Sequence, residues 1–251
     1  MKATGRQLRI RELLESQEFV DLETLCRVLD ASESSIRRDL NELEQQRVLK
    51  RVHGGALAIK PRDQLLDFSW QSTRHAAEKQ RIARLAATLI EDERTVILDG
   101  GSTTAAVAAE LANRSLNIIT NSLAIAEIFK NSRQIEVTLT GGYLYPRLEI
   151  MLGPLCEHTL TGVAADVLVM GIGGVNETGL SNNNTLLVGS ERKMIEVSRK
   201  VMIVADHTKF GRPAMVHLAS LDVVDTVVSD VELAPEYRQK LESRGIQVLL
   251  A

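Results

Sequence analysis

The stretch Ser32-Glu33-Ser34-Ser35-Ile36-Arg37-Arg38-Asp39-Leu40 decides how the first sixty residues are read. Ser32 is a suitable N-cap, and Ile36, Leu40 and Leu43 recur at helical spacing, so a helix is predicted from Glu33 to about Gln46. Opposite that apolar stripe lie Ser34, Ser35, Arg37, Arg38 and Asn41, all able to hydrogen-bond. Upstream, the pattern predicts a helix from about Thr4 to Ser16 carrying Ile10, Leu13 and Leu14. A second helix is capped by Asp21 and carries Leu22, Leu25, Cys26 and Leu29. The tripeptide Asp30-Ala31-Ser32 makes a tight turn between helices. Downstream, Val48–Val52, the turn His53-Gly54-Gly55 and Ala56–Ile59 read as two strands of a hairpin. Three helices followed by a two-stranded ribbon make a winged helix-turn-helix.

Such a unit has the parts to read duplex DNA. The early residues of its recognition helix face base edges, while neighbouring groups hold phosphates. Arg37 and Arg38 diverge by about 100° around the helix, so one can reach a guanine edge while the other clamps a phosphate. Ser34 and Ser35 are short enough for close approach at the helix start, where backbone N–H groups also favour phosphate. Lys50, Arg51 and His53 fall on the wing, within reach of the backbone or the minor groove. The other reading is a protein-interaction module in which Arg37 pairs with Asp39 or Glu44.

The net charge of −3 alone argues against a polyanion partner, but its distribution favours one. Arg37, Arg38, Arg47, Lys50, Arg51 and Lys60 face only Asp39, Glu42 and Glu44 in that segment, and the remaining C-terminal part is acidic. A basic head on an acidic body is steered to DNA in one orientation. Single-stranded nucleic acid is disfavoured, because Phe19 is the one aromatic in the first sixty residues and stacking platforms need several.

At 251 residues, 44% hydrophobic and 25% charged, the chain can bury a substantial core, which excludes disordered and low-complexity classes. No apolar run approaches the roughly 18–20 residues needed to cross a bilayer. The opening residues carry charges every two or three positions, so they do not read as a signal peptide. Cys26 and Cys156 lie far apart with no ligand cluster beside them, which points away from a disulfide framework or a zinc site and toward the cytoplasm. No cofactor or metal is expected, and the five histidines read as surface or loop residues.

Residues 61–74 have little periodicity and read as a linker, packing through Phe68 and Trp70, between a head of residues 1–60 and a body of residues 75–251. From His75 onward helices alternate with Val/Ile/Leu-rich strands at Thr95–Leu98, Asn117–Thr120, Ile135–Thr140, Asp166–Met170, Val201–Ala205, Val223–Val228 and Gln247–Leu250. That alternation predicts an α/β domain with a mostly parallel sheet covered on both faces. The segment Asp99-Gly100-Gly101-Ser102-Thr103-Thr104 joins a strand to a helix predicted over Ala105–Leu111, and its donors suit an anion. Lys209 follows another strand end and either meets that anion or pairs with Asp206. Arg147 is either a second cation or a plain surface arginine. Asn182-Asn183-Asn184 either lines the pocket or forms a loop.

Several motifs carry a resemblance that covers nearly the whole chain. Arg6, Ile10 and Leu14, then Ser32-x-x-Ser35-Ile36-Arg37-Arg38-Asp39-Leu40, and Arg51-Val52-His53-Gly54-Gly55-Ala56 are similar to the DeoR-type regulator signature and wing. Ser35 departs from the threonine usual there; it keeps the hydroxyl and lacks the methyl. Asp99–Thr104, Thr120-Asn121-Ser122, Gly141-Gly142 and Ala205–Gly211 resemble motifs of the same family's C-terminal domain. The resemblance implies a body like ribose-5-phosphate isomerase and glucosamine-6-phosphate deaminase that senses a phosphorylated sugar. It also implies that Asp99–Thr104, Asn121, Ser122, Gly141, Gly142, Arg147 and Lys209 serve the effector. A transcriptional repressor of a carbohydrate operon, released from double-stranded operator DNA by that effector and working as a homodimer or homotetramer, is the expectation that follows.

Two departures bear on the ligand. Where the family commonly has G-x-D-G, this chain has Gly171-Ile172-Gly173-Gly174, and Val188-Gly189-Ser190-Glu191 interrupts a stretch that often holds an acid followed by a base. A sugar-phosphate isomerase or deaminase with an attached head is the alternative function; it needs a placed carboxylate, and Gly173 stands where that acid would be. A DNA-binding scaffold whose body only oligomerises is a third.

Overall fold

The computed structural model describes residues 3–16, 19–46, 48–58 and 67–251. Its contacts divide the chain into two units, Met1–Thr73 and Arg74–Ala251. In the first unit α1 (Ala3–Ser16), β1 (Phe19–Asp21), α2 (Leu22–Leu29), α3 (Glu33–Gln45), β2 (Leu49–Val52) and β3 (Gly55–Ala58) follow one another. Asp21 caps α2 by accepting the Thr24 N–H at 2.7 Å, and Asp30 turns the chain in a left-handed conformation at φ 45°. Ile10, Leu25, Ile36, Leu40, Leu43 and Leu49 close the core between the helices and the ribbon.

The ribbon is a three-stranded sheet of order β1-β3-β2, one strand more than the hairpin predicted. Phe19–Asp21 is too short to show periodicity, yet it pairs antiparallel with Gly55–Leu57. Gly55 permits that pairing, since a Cβ there would lie 2.4 Å from the Val20 carbonyl oxygen. Ile59 and Lys60, like Arg47 and residues 61–66 of the predicted linker, lie outside the described residues. Within the remainder of that linker the structure forms a short helix, α4 (Phe68–Thr73), with Phe68 and Trp70 partly buried. The Asp67 carboxylate accepts the Ser69 N–H at 3.2 Å and stabilises the start of α4, a local cap that periodicity does not reveal.

In the second unit the elements are α5 (Ala76–Thr88), β4 (Thr95–Leu98), α6 (Ser102–Leu111), β5 (Leu116–Thr120), α7 (Leu123–Phe129), β6 (Ile135–Leu139), β7 (Tyr143–Tyr145), β8 (Ile150–Leu152), α8 (Pro154–Thr161) and β9 (Ala165–Met170). They continue with β10 (Gly174–Asn176), β11 (Gly179–Asn182), α9 (Thr185–Glu196), β12 (Ser198–Val204), β13 (Val216–Ala219), β14 (Thr226–Ser229), α10 (Pro235–Glu242) and β15 (Gln247–Leu250). Seven strands form a fully parallel sheet of order β15-β14-β12-β9-β4-β5-β6. Successive strand residues feed opposite cores, as the pleat requires. Ile97, Leu168, Ile203 and Val227 pack on one face, and Val96, Leu98, Val169, Met202 and Val228 on the other.

Strand order reverses beside β4, where the chain runs to β5 and β6 on one side and to β9, β12, β14 and β15 on the other. The crevice at such a switch point is where open α/β sheets take ligands. Two additions outside the parallel sheet were not predicted. The hairpin β7–β8 closes over the end of β5, with Met151 N–H donating to the Asn121 carbonyl at 2.7 Å. The antiparallel sheet β10-β11-β13 lies beside β9 in sequence and shares its core.

Candidate functional site

In the first unit the hydroxyl-rich start of α3 is organised by its own cap. Ser32 Oγ lies 3.1 Å from Ser34 Oγ and 3.0 Å from Ser35 Oγ, and it accepts the Ser35 N–H. Ser34, Arg37, Arg38 and Asn41 are exposed along one side of the helix, and Lys50 and His53 are exposed on the ribbon. Ser35 and Arg51 are partly covered. Arg37 does not pair with Asp39 or Glu44. It reaches one turn back to Glu33 at 2.6 Å, an exposed pair easily exchanged for another anion.

The two acids that the sequence offered to Arg37 are engaged elsewhere. Buried Asp39 receives two hydrogen bonds from Arg6, at 2.7 and 3.2 Å, which tie α1 to α3. Glu44 accepts the Arg51 N–H at 2.7 Å and fixes the ribbon to α3. These two negative charges of the head therefore serve its architecture, leaving Arg37 and Arg38 facing outward.

In the second unit the strand-end motifs converge at the switch point. Helix α6 starts at Ser102, three residues earlier than predicted, so Ser102, Thr103 and Thr104 form its first turn. Thr103 and Thr104 are buried, and the Thr104 hydroxyl donates to the Gly101 carbonyl at 2.8 Å, so these two threonines build the turn. Ser102 remains partly open and accepts from Lys79 Nζ at 2.8 Å. Lys79 escaped the sequence reading. It sits on the same face of α5 as Ile82, Ala83 and Ala86, and a lysine on a core-facing stripe was the signal.

Burial chiefly pushes the Lys79 ammonium down to about 8, with Lys209 and Arg74 adding repulsion and Asp206 opposing it. Lys209 makes no salt bridge to Asp206, but its charge reaches both Asp206 and Lys79. Burial alone would raise the Asp206 carboxyl; the Thr208 hydroxyl, Lys209, His75 and Lys79 outweigh it and hold it below the usual range. Lys79, Lys209 and the first turn of α6 thus make a cationic, donor-rich cradle, with Asp206 and Glu78 as the carboxylates that favour the Lys79 ammonium.

The other predicted residues divide. Ser122 is buried and caps α7, accepting the Ile125 N–H at 3.3 Å, so it is structural. Gly142, at φ 117°, passes so close to the Leu152 carbonyl that a Cβ would lie 2.5 Å away, whereas Gly141 has open space. Arg147 is exposed on the turn between β7 and β8. Asp99 follows β4 and is buried, with the Gly100 N–H and the Asn121 side chain favouring its charged form against that burial. Beside it the structure brings a residue that was not predicted, Glu191 of α9, also buried and held by Asn182 Nδ2 at 2.5 Å. Burial chiefly, then the neighbouring Asp99, raises the Glu191 carboxyl well above its usual range, and burial raises Asp99 to about 7.

Two further features were not assigned to the effector: one adjoins Asp206, and the other is a separate cleft. His207 has Nδ1 2.9 Å from Asp230 and Nε2 3.3 Å from Glu232, so it is bracketed by carboxylates rather than being a plain loop residue. A cleft of about 240 Å³ between Phe210, Tyr237, Lys240 and Arg244 contains none of the residues expected to serve an effector.

A helix-turn-helix head with outward arginines and a parallel α/β unit with a polar crevice define a DNA-binding regulator with a sensor domain. The DeoR-like helix-turn-helix domain matches residues 6–62, and the DeoR C-terminal sensor domain matches residues 74–231. The glycerol-3-phosphate regulon repressor of Escherichia coli (strain K12) is 36% identical over 252 residues, covering 100% of both chains. The L-fucose operon activator of Haemophilus influenzae is 30% identical over 229 residues, covering 90% of this chain and 91% of its own. Among solved structures, ribose 5-phosphate isomerase A from Methanocaldococcus jannaschii shares 19% identity over 53% of each chain, with a TM-score of 0.38. The chain belongs to the DeoR family of transcriptional regulators.

Proposed function

We propose that the protein is a repressor of a carbohydrate-metabolism operon, working in the cytoplasm as a homodimer or homotetramer. In this reading residues 1–60 bind double-stranded operator DNA, residues 61–74 link, and residues 75–251 bind a phosphorylated sugar that releases the DNA. The observation that carries it is the Lys79–Ser102 contact at the switch point, which aims a buried ammonium and a helix start at the same place. That pairing suits a phosphate. Ser34, Ser35, Arg37, Arg38 and Asn41 would read the major groove, with Lys50, Arg51 and His53 on the backbone. Around the cradle, Gly100, Gly101, Thr103 and Gly141 shape the phosphate end, and Lys209 and Arg147 supply charge.

Release follows by linkage: an effector that binds the DNA-incompetent arrangement more tightly shifts the population away from DNA by that difference in affinity. The relatives named include a repressor and an activator, and the repressor covers this chain end to end at higher identity. Fluorescence anisotropy on duplex from upstream of the protein's own gene, at two salt concentrations and with a sugar-phosphate pool, tests the reading. Tight, salt-sensitive binding weakened by the pool is expected. Binding strengthened by the pool would reverse the sign of regulation, and no preference over random duplex would remove the operator.

The protein acts without turnover in this proposal, on the strength of its family. Glu191 supplies a buried carboxylate despite the glycine at 173, so the missing acid by itself no longer argues against catalysis. An assay for aldose–ketose interconversion of pentose and hexose phosphates decides the point, and sustained turnover would sink the proposal.

A further inference from the structure

The cleft beside α10 plays no part in the function proposed above. One of its walls is α10, and the other is β10 with the turn that follows it. At about 240 Å³ it is below the size of drug-sized pockets and suits a compact molecule. Val175, Phe210, Leu221 and Leu241 give it an apolar floor, each only 3–7% exposed. The floor is held by the backbone, since the Gly211 N–H donates to the Val175 carbonyl at 2.8 Å. Gly211, at φ 88°, lies against the Tyr237 hydroxyl, where a Cβ would stand 2.2 Å away. Only glycine lets that chain segment and α10 come so close.

The mouth of the cleft is rich in donors. Lys240 Nζ donates to Glu177 Oε1 at 2.6 Å, joining the two walls, and lies 5.7 Å from the centre of the Tyr237 ring. Both members of that pair are more than half exposed, so the ammonium is easily exchanged to another anion. Arg244 reaches the Glu177 carbonyl at 3.5 Å and the Asp222 carboxylate at 3.9 Å, both at the outer limit of such contacts. Its guanidinium fork therefore has donors left to spend. Glu177 is answered by Lys240, and Asp222 accepts from the Ser220 hydroxyl. Surplus donors above an apolar floor suit an anion with an apolar body. A sugar phosphate does not fit that description, because its hydroxyls would lie unpaired on the floor. A dianion would also be repelled more strongly than a monoanion by Glu177 and Asp222.

The cleft shares one stretch of chain with the cradle. Asp206 and Lys209 act on Lys79 through their charges, whereas Phe210, the next residue, lines the cleft. We propose that the cleft is a second ligand site, for a compact monocarboxylate with an apolar or aromatic body, coupled to the cradle through Asp206–Gly211. The body packs on Phe210, Leu221 and Leu241, and the carboxylate takes Arg244 together with Lys240, which leaves Glu177. A ligand seated on Phe210 moves or stiffens the segment that carries Lys209, so each site alters the affinity of the other. The site stands without the cradle reading; the coupling rests on it.

The test is binding of phenylacetate to the full-length protein by ligand-observed NMR, with benzyl alcohol and acetate as partial probes and inorganic phosphate for the cradle. Phenylacetate should bind more tightly than either partial probe, since each of those lacks half of the contact. Arg244→Gln should lower its affinity about tenfold, as expected for losing a hydrogen bond between charged groups, and should leave benzyl alcohol unaffected. Tm should not change in that variant, because Arg244 is exposed and its contacts are long. Arg244→Lys should recover part of the loss, and Lys79→Met should leave phenylacetate binding intact. Saturating phenylacetate should change the affinity for phosphate, and phosphate should change that for phenylacetate by the same factor. No binding of phenylacetate, or binding undiminished in Arg244→Gln, would overturn the site. Binding lost in Lys79→Met would put the carboxylate in the cradle and overturn it equally. Phosphate affinity that ignores phenylacetate would overturn the coupling. Phenylacetate binding in a protein that fails to bind phosphate would uphold the site and remove the cradle reading.

Discussion

The two units handle charge in opposite ways. In the head, two acids beside the recognition helix are used up inside the architecture, Asp39 by Arg6 and Glu44 by the Arg51 backbone, while Arg37 and Arg38 face outward. In the sensor unit charges are drawn inward: Lys79, Asp99, Glu191 and Asp206 are all buried around one crevice. On the proposed reading, the difference follows from the partners. A duplex is larger than the head and is met on a surface, where solvated charges cost nothing to keep exposed and act at long range. A small metabolite is met by enclosure, where each buried charge costs stability until the ligand answers it.

The largest effect should come from breaking the head's internal use of an acid. Asp39→Ala leaves Arg6, 16% exposed, without the carboxylate that receives two of its hydrogen bonds. Removing one partner of a buried pair costs about 3–5 kcal/mol. Hydrogen exchange of amides in α1 and α3 should accelerate accordingly, and operator binding should vanish. Protection unchanged from the natural protein would show that the pair is incidental. Next comes Arg37→Ala, which should weaken operator binding by about 1–3 kcal/mol if the guanidinium contacts a base edge. Lys50→Ala should weaken operator and random duplex alike. Equal losses for Arg37→Ala on both duplexes would reduce it to a phosphate contact and blur the division of labour within the head.

The contrast between units also explains what could be read in advance. The head's determinants are local: Ser32 caps the helix that carries Arg37 and Arg38, and Ile36, Leu40 and Leu43 orient it, all within one short stretch. The parallel sheet was legible because runs such as Val96–Leu98 and Val201–Val204 are continuously apolar. Short strands were not, since Tyr143–Tyr145 and Ile150–Leu152 are too brief for periodicity and Ile150–Leu152 is held against the end of β5. Glu191 was hidden by distance along the chain from Asp99. The clue was its place beside Leu187, Ser190 and Met194 on the buried side of α9, where an acid demands a reason. Lys79 posed the same question on α5.

The sensor unit's inward charge gives a pH test weaker than the substitutions above but sharper in sign. Lys79 loses its proton near pH 8 in the folded, ligand-free protein. Below that value the ammonium is already charged when an anion arrives. Above it, each bound anion requires proton uptake, so affinity for inorganic phosphate should fall as pH rises, by up to about tenfold per unit. Phosphate itself is already a dianion in that range and contributes little to the slope. Calorimetry in buffers of different ionisation heat should register the proton uptake above pH 8. Lys79→Met should weaken phosphate binding and flatten the profile. A flat profile in the natural protein would place the anion away from Lys79, and the sensor would then resemble the head in meeting its ligand with exposed charge.

The smallest effect concerns an acid on the head's outer face, Glu33, that is not committed to the architecture. Glu33 reaches Arg37 across one helical turn, with side chains 59% and 55% exposed, and pairs of that kind contribute about 0–1 kcal/mol. Glu33→Gln should therefore leave head stability within about 0.5 kcal/mol. Its effect on DNA binding should nonetheless be favourable, because Arg37 no longer has to leave a carboxylate and the helix start loses a charge that repels phosphate. A gain of a few tenths of a kcal/mol, larger at low salt, is the expected outcome in anisotropy titrations. A loss of affinity would mean that Glu33 holds Arg37 in the orientation it needs, or itself accepts from a cytosine amine. In that event the acid at this position reads DNA, and the head would use one negative charge outwardly after all.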